Sequence, residues 1–249
     1  MSNNIKSNEN LSKLNLELSE ISSLIYMENN KYINYIQYKN RSELFEWVLN
    51  ISNQINIKDK TFFQAIEMFD RVIEKMNYPE MDIDRMKVFA IVCLMMSSKL
   101  EEVNFIGMNY ALRVLSDNSS SIEELKEIEI CILFSLNFQF PKDYFEEFSY
   151  LILLIFFYED FLGQNIEIFQ QANINLYKLI LKNFEFFSSK DIVILYFAIV
   201  FFSLKKKFDS LLFDKTLEYL DSFLDLCSKF TNKDRIIGYA SHIQNEFFN

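Results

Sequence analysis

Glycine is close to absent from this chain of 249 residues, with 3 copies, and proline occurs 2 times. Glycine supplies the left-handed backbone of tight turns, and proline ends helices or sits in turns. A chain so poor in both has little material for the many turns that a sheet protein needs. Histidine is almost missing too: His242, near the C-terminus, is the only one. It reads as a surface or helix-end residue, because no serine or cysteine stands with it in a nucleophile motif. Gly107, Gly163 and Gly238 are isolated, so there is no phosphate-cradling loop. Cys93, Cys131 and Cys227 lie far apart in apolar helical patterns, without metal-ligand or redox spacing. They read as buried free thiols of a reducing compartment. No metal, no cofactor and no enzyme activity are expected.

Positive charge is also in deficit. Lys and Arg number 25 against 35 Asp and Glu, a formal net charge of -10. A nucleic-acid ligand demands clustered cations, and the one dense basic run is Lys205-Lys206-Lys207. At the end of an apolar helix, those lysines complement the helix dipole. The N-terminus lacks the apolar core of a signal peptide. Two greasy runs, Tyr150 to Tyr158 and Ile192 to Phe202, are shorter than the roughly 18–20 residues of a membrane span and read as buried core helices; membrane association is the reading they would otherwise support.

What the chain has in quantity is apolar side chain: half its residues are hydrophobic and 27 are phenylalanine. The fold class expected is all-α. A tyrosine-rich helix is read over about 11–38. Helices follow over about 41–53, with the stripe Leu44, Val48, Ile51 and Ile55, and over 60–76, where Phe62, Ala65, Ile66, Phe69, Val72, Ile73 and Met76 keep helical spacing. Pro79 ends the latter. A helix over 84–100 is apolar on every side from Val88 to Met96, so it belongs inside a bundle. A short helix covers 107–115, and Ser121 with Glu124 forms a capping box for one that ends near Asn137. After Pro141 the order restarts, with helices over about 142–158, 164–184, 189–205, 210–227 and 232–247; Ser188 and Thr231 are candidate N-caps. Each half holds five helices with a greasy third member. Two small bundles, each around one central helix, are the simplest architecture with that property. The expected parts are an N-terminal tail and helix over 1–38, one bundle over 39–140 and a second over 141–249.

The central helix of the first bundle ends abruptly in Lys99-Leu100-Glu101-Glu102, a charge cluster that something outside the bundle would meet. The carboxylate pairs Glu101-Glu102, Glu123-Glu124 and Glu146-Glu147 otherwise read as solvated faces or as dipole partners at helix N-termini.

Four pieces in order then resemble a known family. They are Arg41-Ser-Glu-Leu44-Phe-Glu-Trp47, Thr61 through Arg71, Cys93 through Glu102, and Glu129 through Phe138, over about 100 residues. Together they resemble the cyclin box; the second half is similar only in helix number and hydrophobic pattern. The resemblance implies a cyclin fold and a non-catalytic regulatory subunit that binds and activates a cyclin-dependent serine/threonine kinase, in the nucleus or cytoplasm. It implies that Lys99 and Glu129 are the charged pair that grips the kinase, flanked by Leu100, Leu133 and Phe140. Arg41 and Asp70 match an internal brace. Leu44 and Trp47 match part of a patch that docks short Arg-x-Leu peptides of substrates or inhibitors, but Asn40 and Glu43 stand where that patch is apolar, and a carboxylate in an apolar groove carries a desolvation cost. The N-terminal tail lacks an Arg-x-x-Leu destruction motif. Read alone, Lys99 is equally a cation at a helix C-terminus, Glu129 an exposed carboxylate and Trp47 a core residue. The other function open to this fold is an adaptor or transcription-related scaffold that activates no kinase.

Overall fold

The computed structural model describes residues 40–76, 81–115, 120–141, 143–156, 166–182, 192–211, 216–228 and 231–248. Among these the regular elements are all helices: α1 Arg41–Gln54, α2 Asp59–Met76, α3 Ile83–Glu101, α4 Met108–Val114, α5 Ile122–Ser135, α6 Phe145–Phe156, α7 Ile166–Lys182, α8 Ile192–Leu211, α9 Thr216–Cys227 and α10 Lys233–Phe248. The described residues form two compact units, one of 40–143 with Lys182, the other of those from Tyr144 onward. The helix expected over 11–38, the cap at Ser188 and the stop at Pro79 lie outside the described residues.

In the first unit α3 packs against α1, α2, α4 and α5. Every residue of α3 from Val88 to Ser98 is buried, as an all-round apolar helix requires. Around it, α1 turns Leu44, Val48 and Ile51 inward, α2 turns in Phe62, Phe69, Val72 and Ile73, and α5 turns in Leu125, Ile128 and Ile132. Asp82 caps α3 by accepting from the Arg85 amide (2.9 Å). Ser121 caps α5 by accepting from the Glu124 amide (3.1 Å). The box there is half made, because the Glu124 carboxylate takes the Arg85 guanidinium instead.

The scarcity of glycine does not remove tight helix exits. Asn56 follows α1 with φ 54°, and Asn137 follows α5 with φ 51°. After α1, Asn56 N donates to Asn53 O (3.3 Å) and Ile57 N to Ser52 O (2.9 Å). After α5, Asn137 N donates to Phe134 O (3.0 Å) and Phe138 N to Leu133 O (2.9 Å). Both exits are Schellman motifs, and asparagine is the side chain that best tolerates the left-handed position after glycine.

In the second unit α8 packs against α6, α9 and α10 and buries Ile194 through Phe202. Rings fill the space: Phe145 lies 4.1 Å from Tyr177 of α7 and 5.0 Å from Tyr196 of α8. The run starting at Tyr150 is core at Ile152 and Leu153. No helix among the described residues is long and apolar enough to cross a membrane.

Two boundaries differ from expectation. Helix α8 does not stop at Lys205 but runs through Lys205–Lys207 to Leu211, and α9 begins at Thr216 rather than near 210. Lysine is a good helix former, and no glycine or proline follows to end the helix. The first residue of α10 is Lys233, with the Asp234 amide donating to Asn232 Oδ1 (2.8 Å). Asn232, not Thr231, is therefore the cap.

Candidate functional site

Four sets of side-chain bonds gather around the C-terminal end of α3. Lys99 ends the buried run of α3, and Glu129 lies on the second turn of α5. Their side chains meet, with Lys99 Nζ 2.5 Å from Glu129 Oε1, and both stay partly exposed at 35% and 20%. The two carboxylates after Lys99 have a different use. Glu102 Oε1 accepts from Thr61 Oγ1 (2.6 Å) and from the Lys58 amide (3.0 Å), while Lys58 Nζ donates to the Glu101 carbonyl (3.1 Å). Glu102 thus sits at the positive end of α2 and accepts from the amide of Lys58, the residue just before the helix. The charge cluster expected to face outward as a whole is divided: Glu101 and Glu102 secure α2, and Lys99 faces α5.

The loop after α3 is tied back by Ser98, whose Oγ donates to Met95 O (2.7 Å) and accepts from the Ile106 amide (2.9 Å). Ile106 is thereby buried while Val103 and Phe105 stand 92% and 60% exposed. The exit of α5 is fixed from inside. Ser97 Oγ lies 2.8 Å from Thr61 O and 2.9 Å from Gln64 Oε1, and Gln64 Nε2 donates to Pro141 O (2.8 Å). These groups are buried, and the one Ser97 hydroxyl hydrogen is shared between two acceptors, so the network lowers the cost of unmet polar atoms.

The last residue of that Schellman turn is Phe138, with φ 58°. Left-handed backbone is unusual for a bulky side chain and costs on the order of 1–3 kcal/mol. Its ring packs edge-on to Phe134 (centroids 5.4 Å apart), yet Phe134 and Phe138 remain 65% and 59% exposed. Leu100 and Ile130 are also largely exposed, and Leu133 and Phe140 are half-buried. Of the residues expected beside the charged pair, Leu100 is thus the most open. Val103, Phe105, Ile130, Phe134 and Phe138 are the ones the sequence reading missed. A signal existed: the buried stripe Leu125, Ile128, Ile132 and Leu136 leaves Ile130 and Phe134 pointing off it. Strained backbone beside exposed aromatics is the kind of cost a protein bears where a surface has a use.

The second expected site is less formed. Asn40 and Glu43 are exposed, Trp47 is half-buried with Lys87 Nζ 6.0 Å from its ring, and Leu44 is 1% exposed. Leu44 belongs to the α1 core stripe and has no surface to offer a peptide. Arg41 and Asp70 do meet, Nη2 to Oδ2 at 2.7 Å, and join α1 to the middle of α2. His242 lies on α10, its Nδ1 4.0 Å from Glu246 Oε1. No cluster able to hold a metal occurs among the described residues.

The thiols differ sharply. Burial pushes Cys93 far above the ordinary thiol range, with Asp70 adding to the effect, and burial likewise raises Cys227. Cys131 is half-buried. Alkylation needs the thiolate, so iodoacetamide should modify Cys131 first in the folded chain. Peptide mass mapping checks this, and equal early labelling of Cys93 would contradict the packing of α3.

Residues 11–140 match the profile of the cyclin N-terminal domain. Among curated proteins, the chain is 29% identical over 101 residues to G2/mitotic-specific cyclin-1 of Saccharomyces cerevisiae, covering 41% of this chain and 21% of that protein. It is 25% identical over 122 residues to G2/mitotic-specific cyclin-B of Hydra viridissima (47% and 28%). To Cyclin-B2-1 of Oryza sativa subsp. japonica it is 26% identical over 103 residues (41% and 24%). The chain therefore spans about a quarter of the length of these relatives. The match includes α1 through α5 and with them the whole of the Lys99–Glu129 face. With more than half its length under that profile and the helical architecture it requires, the chain belongs to the cyclin family.

Proposed function

We propose that the chain is the regulatory subunit of a cyclin-dependent serine/threonine kinase and that the Lys99–Glu129 face is its grip. The observation that carries this reading is a partly exposed ion pair at the end of the buried run of α3, with Leu100, the next residue in the chain, largely exposed. A charged pair with apolar flanks is the make-up of a protein–protein interface, whose centre is apolar and whose charges fix register. Family membership supports a kinase as the partner.

The mechanism is differential binding. Phosphoryl transfer in a kinase needs its strand lysine paired with the glutamate of a mobile helix, together with correct metal placement. A subunit that holds that helix inward binds the active conformation more tightly than the inactive one, and the difference in affinity is the activation. Holding a helix against a kinase lobe calls for a large interface, above about 2,000 Å². In this reading the chain supplies no catalytic group.

The test is co-purification of the chain with a cyclin-dependent kinase and assay of the complex on a peptide substrate. The unaltered chain should form a stable complex and raise activity from near zero. Phe134→Asp should weaken the complex by at least about tenfold, as loss of an interface aromatic does. Phe138→Gly should weaken binding too while leaving the fold as stable or more so, since glycine accepts the left-handed backbone that phenylalanine resists. A complex indifferent to both substitutions would put the grip elsewhere. A chain that binds a kinase without raising its activity would favour the adaptor reading.

A further inference from the structure

The core stripe of helix α7 carries Phe169, Tyr177 and Ile180. Along the flank of that stripe, Ala172, Asn175, Leu176 and Leu179 keep i, i+3, i+4, i+7 spacing and line a cavity of about 520 Å³. Phe202, Ser203 and Lys206 of α8 and Phe248 of α10 form the rest of the wall. The Phe202 and Phe248 rings pack at a tilt of 31° with centroids 5.1 Å apart. Small-ligand sites have volumes of about 300–1,000 Å³, mostly apolar walls and a few polar groups that fix orientation, and this cavity has that make-up.

The polar group that decides its ligand is Lys206. Lys58, Lys60, Lys87, Lys99 and Lys233 each face a carboxylate. Lys206 has no carboxylate partner among the described residues, in a chain whose net charge is -10. Its Nζ instead rests 3.7 Å from the centroid of the Phe248 ring. An ammonium so placed at an apolar cavity is a counter-ion for one anionic group. A single cation is too few for a phosphorylated ligand that needs several donors. A peptide helix, about 10–12 Å across with its side chains, is too wide for a cavity of this size.

We propose that this cavity binds a single-chain carboxylate amphiphile of the fatty-acid class, its tail against Leu176, Leu179, Phe202 and Phe248 and its head on Lys206. Asn175 Oδ1 accepts from Gln171 Nε2 (3.2 Å), which leaves the Asn175 amide hydrogens as further donors for the head. The proposal is independent of the kinase reading, because every wall residue lies outside the unit that carries the Lys99–Glu129 face.

The test is titration calorimetry of the full chain with dodecanoate below its micelle concentration. Saturable one-to-one binding is expected, with decyltrimethylammonium inert. Lys206→Gln should weaken dodecanoate roughly tenfold, the usual worth of a charged hydrogen-bond partner. Ala172→Phe should abolish binding by filling the cavity; Ala172 is exposed, so unchanged helix content by circular dichroism shows the variant folded. No saturable binding, or binding unmoved by either substitution, overturns the site. Equal binding of the cationic amphiphile overturns the head-group assignment. An acidic amphipathic peptide that binds where dodecanoate does not, blocked by Ala172→Phe, overturns the ligand class.

Discussion

Lys99→Glu should abolish kinase binding and leave the helical fold intact. The two effects separate because the same side chain contributes very differently to each. In the chain alone, Lys99 and Glu129 form a partly exposed pair, and such pairs are worth about 0–1 kcal/mol. Within an interface, removing one member of a buried charged contact costs about 2–5 kcal/mol. At about 1.4 kcal/mol for each factor of ten, binding falls roughly 30-fold or more. Reversal goes further, since it places two carboxylates side by side on the face proposed to meet the kinase. The double variant Lys99→Glu, Glu129→Lys restores the internal pair without restoring the original pattern of charge toward a partner. It should regain any lost thermal stability and still fail to bind or activate the kinase, measured by pull-down and peptide phosphorylation. Recovery of activation in the double variant would mean that the pair acts only within the chain and that the grip lies elsewhere.

Much of this architecture is visible in the sequence, and the parts that are not have identifiable causes. The burial of α3 follows from Val88–Met96 alone, because an apolar run longer than two turns has no polar side to show to water. The brace Arg41–Asp70 and the pair Lys99–Glu129 were legible only through family spacing; neither residue of either pair is close to the other in the chain. The role of Glu102 was not legible. It acts on the start of α2, more than 40 positions earlier by the Lys58 bond, and no local pattern encodes a cap supplied from so far away. Helix exits were misjudged through glycine: its scarcity suggested few tight turns, whereas Asn56 and Asn137 perform the same conformational task. Phe134 and Phe138 were hidden by composition. In a chain with 27 phenylalanines, one more on an apolar helix reads as core, and its exposure emerges only when the inward stripe of α5 is drawn first. The length of α8 was misread because Lys205–Lys207 looked like a terminus. Charge marks a helix end only where something also stops the backbone from continuing.

Asp70→Ala should produce the largest loss of stability among single polar substitutions in the first unit. Asp70 and Arg41 are 4% and 10% exposed, with the carboxylate 2.7 Å from the guanidinium. Removing the aspartate takes from a mostly buried cation the carboxylate that lies 2.7 Å away, and breaking a buried ion pair costs about 3–5 kcal/mol. Arg41→Ala should be nearly as severe, since it breaks the same buried pair from the other side. At roughly 2–4 °C per kcal/mol for a chain of this size, the unfolding of this unit should drop by about 10 °C, and its urea midpoint should fall in step. Arg41→Met with Asp70→Leu removes both charges and both desolvation costs. It should therefore be more stable than either single variant, because a buried ion pair is costly to break and far less costly to replace with apolar side chains. Thermal melts of the four proteins give that order directly, and a double variant as unstable as the worse single one would show that the pair fixes the start of α1 by geometry rather than by neutralising charge. Kinase binding, measured well below the melting range, should change by no more than about threefold in these variants, since well-separated sites act additively. Stability thus reads out the brace, and binding reads out the face built on Lys99.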